Sequence, residues 1–291
     1  MKYGFILEHR SIWPITWMCQ ALGVSDNGFH AWRVRPPSKR AVANERLLGL
    51  IRQSFLGSDK TYGSPRVFRD LTDWGERTSK KRVARLMRLA ALRARPNRRR
   101  RPIDAELSPE HTIAPNVLDR QFVAEGPNMK WAADFTYLWT AEGWLYVAAV
   151  MDLFSRKVVG WSMSANMTAQ FVIDALMMAI WRRGKPTELL HHSDQGSQYR
   201  SEDFQRLLLD QGVVCSMSKR GDCWDNAVVE SFFSSLKKER TNRKRYRSRD
   251  EARSDVFDYI ERFYNPRRRH STLGQVSPDQ SERARATMGG V

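Results

Sequence analysis

The 291-residue chain carries 49 Lys and Arg against 32 Asp and Glu, a formal net charge of +17, and such an excess of cations is the footprint of a protein that meets a polyanion, nucleic acid first. No stretch approaches about 18 consecutive apolar residues, and the apolar start at 3–7 is cut short by Glu8, His9 and Arg10, which argues against a membrane span or a signal peptide. Cys19, Cys215 and Cys223 never pair as CxxC and no helix carries histidines at ligand spacing, so a disulfide framework and a zinc knuckle are set aside, a reducing cytoplasmic setting is expected, and any metal falls to carboxylates.

The first segment reads as helices over 14–22 and 25–33 separated by the Gly23-Val24 break, with Met18, Cys19, Leu22, Val24, Phe29 and Trp32 as its core. The spacing suits a helix-turn-helix and a bare helical hairpin equally. A second helical unit follows: a helix over 44–55, a turn at Tyr62-Gly63-Ser64, a helix over 65–74 closed by Gly75, and a helix over 80–92 capped by Ser79. On the last of these Val83, Leu86, Met87 and Ala90 form an apolar stripe, while Arg82, Arg85 and Arg88 recur every three residues on other faces. That pattern fits a DNA-contacting recognition helix or a solvated basic face, and DNA contact is the expectation because the +17 charge needs a partner. From 93 to 102 the chain is too basic and Pro-broken to pack, and a flexible basic linker is expected to about Asn128.

Three segments rich in β-branched and aromatic residues then follow, at 131–139, 144–151 and 157–163, joined by connections short enough for an antiparallel meander. A helix over 168–183, a strand over 188–193, a helix over 201–211 closed by Gly212, a strand over 213–218 and a long helix over 226–240 complete an alternating pattern. This is the element order of an α/β RNase H-like core, a mixed five-stranded sheet flanked by helices. After it come a basic stretch, an amphipathic helix over 250–264 and a tail.

Three acids stand out within this order. Asp134 lies in a predominantly apolar strand, where a lone carboxylate is costly to bury and asks for a partner or a cation. Asp194 follows the fourth strand, the place where open α/β sheets commonly hold functional groups. Glu230 lies one turn into the last core helix, at the margin of the stripe made by Val229, Phe232, Phe233 and Leu236, and Asp225 is the expected cap of that helix with Trp224 stapled on Val229. Singly, each is an ordinary turn, cap or solvated residue; three on these elements point to one site. Asp152, directly after the second strand, reads as a turn or hydrogen-bonding residue rather than a metal contact.

The acids are separated by 59 and then 35 residues, and in this element order the pattern resembles the integrase core of retroviruses and of bacterial insertion-sequence transposases. The words WAADFTYL, MDLFSRKVVGW, HHSDQGSQY, SKRGDCWDNAVVESFFSSLKKE and YNPRRRHSTLGQVSP, with TYGSPRV near the start, are similar to the OrfB catalytic proteins of insertion sequences that carry two overlapping reading frames. The retroviral His-His-Cys-Cys zinc module is missing, so zinc is not carried over. The resemblance implies helix-turn-helix-like units at 1–42 and 43–95, a basic linker at 96–127, the catalytic core at 128–240 and a basic helical extension at 241–291. It also implies a DNA transposase in which Asp134, Asp194 and Glu230 hold two Mg²⁺ or Mn²⁺ ions for cleavage and 3′-hydroxyl strand transfer, Asp134 bridging the pair. Lys219, Arg220 and Lys237 flank or extend the Glu230 helix and are expected either on DNA phosphates or in solvent; Arg267, Arg268, Arg269 and His270 are weighed the same way. Double-stranded DNA, in the form of terminal repeats and target, is the expected partner, bound by a homo-multimer. The chain has no sustained heptad run, so pairing of protomers is expected to come from fusion to, or association with, an upstream-frame helix-turn-helix and zipper protein. The same fold and acids would also serve a nuclease or resolvase that cuts without joining, or survive in an inactive transposase-derived DNA-binding regulator.

Overall fold

A computed structural model describes residues 1–94, 114–218, 226–242 and 244–288. The expected helices of the first unit are α2 (Ile15–Ala21) and α3 (Asp26–Val34), the latter capped by Ser25, whose hydroxyl accepts from the Gly28 N–H at 3.2 Å. They pack under α1 (Lys2–His9), a helix that the sequence pattern does not announce and that contributes the fully buried Ile6 beside Met18, Cys19 and Phe29. Trp32, expected inside, is 39% exposed and leans on Tyr3 and Phe29 from the surface.

In the second unit α4 (Lys39–Gly57) starts earlier than expected, because the Ser38 hydroxyl caps it by accepting from the Ala41 N–H. With α5 (Ser64–Asp73) and α6 (Lys80–Leu89) it encloses Leu47, Ile51, Phe55, Val67, Leu71, Val83, Leu86 and Met87.

The core is a five-stranded sheet in the order β3-β2-β1-β4-β5. Strands β1 (Lys130–Thr140), β2 (Gly143–Asp152) and β3 (Val158–Ser164) form the expected antiparallel meander, and β4 (Leu190–Ser193) and β5 (Val214–Met217) extend it in parallel from the β1 side. Helices α7 (Ala169–Arg182) and α8 (Glu202–Asp210) cover one face. Gly160 of β3 lets α7 approach: a Cβ there would lie 2.2 Å from the Ala175 carbonyl oxygen. The other face carries α9 (Ala227–Leu236), prolonged by a π-helical turn at Lys237–Thr241, and α10 (Arg249–Phe257), prolonged likewise at Asp258–Tyr264. The expected tail contains α11 (Pro278–Met288).

Of the basic word at 267–270, Arg268 and Arg269 go neither to DNA phosphate nor to solvent, the two readings open to them, because both are buried and taken up inside the protein. Arg268 makes a two-pronged bond to Glu239, 2.7 Å to each oxygen, and Tyr259 donates to the same carboxylate. Arg269 reaches into the second helical unit, donating to Asp70 at 2.7 Å and Asp73 at 2.5 Å, while the Tyr62 hydroxyl donates to the Arg267 carbonyl and accepts from the Arg269 N–H. His270 stacks edge-on against Tyr264, and burial together with the Arg268 charge pushes its pKa down to about 3. Residues roughly 200 positions apart in sequence thus fasten the second unit to the core. Removing one member of a buried pair leaves the other charge stranded, at a cost of about 3–5 kcal/mol. Arg269→Ala is therefore expected to lower the urea midpoint and to open the 58–63 turn to proteolysis, whereas truncating the exposed Arg267 is expected to leave both unchanged.

Candidate active site

β1 and β4 run parallel with Lys130 opposite Leu190, Trp131 opposite His191 and Ala132 opposite His192, an offset of 60 residues. Asp134 and Asp194 differ by the same 60, so the register carries Asp194, just past the end of β4, beside Asp134 within β1. Alternation along β1 sends Trp131, Ala133 and Phe135 toward α7 and Ala132, Asp134 and Leu138 toward α9. Glu230, in the first turn of α9, therefore stands across a cleft from Asp134.

The start of α9 is fixed by Asn226, to which the sequence pattern gives no role. It occupies the N-cap position, yet its amide turns away from the helix and donates to the Ala133 carbonyl at 2.9 Å, one residue before Asp134. The expected cap Asp225 and staple Trp224 lie outside the described residues, as do Lys219, Arg220 and much of the linker. Tyr199 is likewise silent in the sequence: its buried hydroxyl has no hydrogen-bond partner among the described residues and sits in the field of both Asp134 and Asp194.

The electrostatics tie the three acids together. Burial, then the charge of Asp194 and more weakly that of Glu230, hold the Asp134 carboxyl well above the usual range, against the Phe135 N–H bond at 2.7 Å and the more distant Lys237 ammonium. Asp194 is raised by burial despite accepting from the Gly196 N–H at 2.9 Å and facing Arg200, and Glu230 is raised by burial. Among the described residues no three acidic, histidine or cysteine side chains are gathered closely enough to chelate one ion as they stand. What the acids share is an all-oxygen donor set in which the charges of Asp194 and Glu230 disfavour that of Asp134, chemistry that suits a hard divalent cation. Asp152 takes the structural role expected of it: fully buried, it accepts from the backbone N–H groups of Asn128, Phe154 and Ser155 and from the Ser155 hydroxyl.

Lys237, expected farther along a continuous helix, instead closes α9 where the π turn begins, with its ammonium 5.2 Å from the centre of the Tyr137 ring. Burial lowers its pKa and Asp134 counters that shift. On α6 the Arg82 Nε donates to Asn44 Oδ1, so part of that side chain is engaged within its own unit, whereas Arg85 and Arg88 are exposed.

Family models describing an integrase core domain match residues 124–223 and 211–278, and one describing an HTH-like domain matches residues 43–100. The transposase InsF for insertion sequence IS3A of Escherichia coli K12 is 43% identical over 284 residues, 97% of this chain and 98% of its own. An uncharacterized 31 kDa protein of insertion element IS600 from Shigella sonnei is 40% identical over 90% of this chain and 96% of its own. Among solved structures, the HTLV-2 integrase catalytic core in complex with magnesium aligns at 24% identity over 39% of this chain and 70% of its own, with a TM-score of 0.33. The BIV integrase catalytic core aligns at 18% over 56% and 98%, with a TM-score of 0.41. At those scores the fold assignment rests on the strand order and the family models. Near-complete alignment with InsF at 43% identity, an integrase core around the acidic cleft and an HTH-like unit before it together establish that this chain belongs to the family of IS3-type insertion-sequence transposases.

Proposed function

We propose that the chain cleaves DNA at the ends of its insertion sequence and joins the 3′-hydroxyl so released to target DNA, with Asp134, Asp194 and Glu230 as the catalytic, metal-binding acids. The observation that supports this reading is the shared 60-residue offset, which sets Asp194, just past the end of β4, beside Asp134 in β1, with Glu230 lining the same cleft as Asp134. Bound Mg²⁺ or Mn²⁺, two ions in this reading, would stabilise charge on the attacking and leaving oxygens of an in-line displacement. The residues do the remaining work. Asn226 holds Glu230 opposite Asp134, and Lys237 offers a cation to the DNA phosphate on the same wall. In cleavage, water adds to the phosphorus and the 3′-oxygen leaves as a hydroxyl; in joining, that hydroxyl adds to a target phosphorus and the target's 3′-oxygen departs. Neither step forms a bond between protein and DNA.

Double-stranded DNA is the partner, and Arg85 and Arg88, with the remaining donors of Arg82, are the contacts of the second helical unit. Lys219 and Arg220 are proposed beside them on sequence alone. Coupling two DNA ends calls for a multimer, and an upstream-frame zipper protein, fused or associated, would supply the pairing device; the work is done in the cytoplasm. Every phosphate left without its cation takes about one unit off the slope of log affinity against log salt. Arg85→Ala with Arg88→Ala is expected to flatten that slope by roughly two units in a filter-binding titration. An unchanged slope would move recognition to the first unit.

The test of the reaction supplies a pre-cleaved end bearing a 3′-hydroxyl together with plasmid. Strand-transfer products are expected, whereas nicked plasmid without joined products would make the protein a nuclease or resolvase.

A further inference from the structure

On the edge away from β2, β1 loses its β4 partner past Ala132 and stays open until an isolated bridge ties Thr140 to Tyr246. Along that open edge runs a cleft of about 1350 Å³ that begins at Asp134 and Glu230 and ends at Trp139 and Trp144. Its lining combines two chemistries. On the sheet side Tyr137, Trp139 and Trp144 are 54%, 61% and 43% exposed and pack edge to face, with ring centres 5.0 Å apart for Tyr137–Trp144 and 4.8 Å for Trp139–Trp144. Around the open edge, the end of α9, its π turn and the segment beyond add Lys237, Lys238 and Arg245 to the lining, with the Lys237 ammonium against the Tyr137 ring. Asp134 and Glu230 are the only acids among the described residues that line the cleft, and both lie at one end of it.

Exposed indole rings on an unpaired strand edge are an aggregation liability unless something covers them. A paired duplex presents no base faces to them. A protein partner would account for the rings but not for the cations that line the same cleft. Aromatic faces and cations lining one cleft are what single-stranded nucleic acid requires, since bases stack on the rings while phosphates follow the charge. We propose that this cleft binds unpaired DNA nucleotides next to the scissile phosphate, the bases stacking on Trp139, Trp144 and Tyr137 and the phosphates meeting Lys237, Lys238 and Arg245. The inference deepens the reading of the acidic site, on which it rests: the end enters with its base pairs opened, and the aromatic wall holds the opened strand. Five residues of extended chain from Asp134 to Trp139 give the platform a reach of roughly 16 Å.

The test uses the full chain without divalent metal, so that nothing is cleaved. It compares a blunt duplex with a forked duplex of the same sequence whose unpaired terminal bases include 2-aminopurine. The wild type is expected to bind the forked end about tenfold more tightly and to quench the 2-aminopurine. Trp139→Ala with Trp144→Ala is expected to abolish both effects and leave blunt-duplex affinity unchanged, and Trp139→Phe with Trp144→Phe to restore them. Equal affinity of the wild type for the two duplexes, survival of the preference in the alanine pair, or its loss in the phenylalanine pair would overturn the proposal. So would a dimer, seen by sedimentation, that the alanine pair dissolves while the fork preference persists, since the rings would then belong to an interface between copies. Because binding is read without turnover, a failure to cleave or join DNA leaves a positive result standing, and the fork preference can fail in a chain that joins DNA normally.

Discussion

Asp134→Asn, Asp194→Asn and Glu230→Gln are each expected to reduce end cleavage and strand transfer by roughly a thousandfold or more, with DNA affinity within about twofold of wild type. Each exchange removes one negative donor from the shared site at almost constant volume, and metal-mediated stabilisation of the developing charge is worth several kcal/mol of barrier. The fold survives because none of the three supports a helix or strand through its carboxylate alone: Asp134 accepts from the next residue's N–H and Asp194 from that of Gly196, bonds an amide oxygen can also accept. Asp152 is the informative control. Its carboxylate accepts three bonds from the β2–β3 connection and one from the Asn128 N–H before β1, so Asp152→Asn is expected to lower stability while the folded fraction keeps its activity. A triad variant that cleaves at the wild-type rate would remove that residue from the site.

The second expected result runs opposite to the usual effect of a mutation: metal-free Asp134→Asn melts at a higher temperature than the wild type at neutral pH. Burial and the charges of Asp194 and Glu230 raise the Asp134 carboxyl well above its ordinary value. The folded state therefore keeps a proton that the unfolded chain has already released. Stability associated with this group is greatest below the ordinary carboxylate value and falls as pH rises toward the raised one, above which the full penalty persists. Asparagine removes the penalty. A gain of 1 kcal/mol would appear as about 2–4 °C in Tm, and the advantage over wild type should shrink on acidification. Adding Mg²⁺ or Mn²⁺ is expected to raise the wild-type Tm and to leave the variant nearly unmoved, since an ion that binds only the folded protein stabilises it. A variant less stable than wild type without metal would mean that the acidic cluster is not repulsive.

The pattern of apolar and β-branched residues from 131 to 218 is enough to read the sheet and its helices, because each element buries a face that its own spacing advertises. The acids are legible for a related reason: their 60-residue separation is the β1–β4 register itself. What escapes reading depends on partners far away in sequence. Arg268 and Arg269 look like a surface basic run until Glu239, Asp70 and Asp73 are brought to them. Asn226 carries no sign of a role beside the expected cap Asp225, and only the approach of β1 gives its amide a partner at Ala133. The π turn that ends α9 at Leu236 carries no local sign, since Lys237–Thr241 is good helical sequence. The early start of α4 was within reach: Pro36-Pro37-Ser38 is a stop followed by an N-cap, and the Ser38 hydroxyl acts as one.

The claim on which everything else depends is that Asp134, Asp194 and Glu230 form one divalent-metal site, and Mn²⁺ binding reads it most directly. Electron paramagnetic resonance of free Mn²⁺ is followed while protein bound to a pre-cleaved DNA end is titrated in, with Asp134→Asn on the same DNA as the comparison. The wild-type complex is expected to take up Mn²⁺ beyond what the DNA alone retains, and the variant complex to lose this uptake. Equal uptake by the two complexes would contradict it.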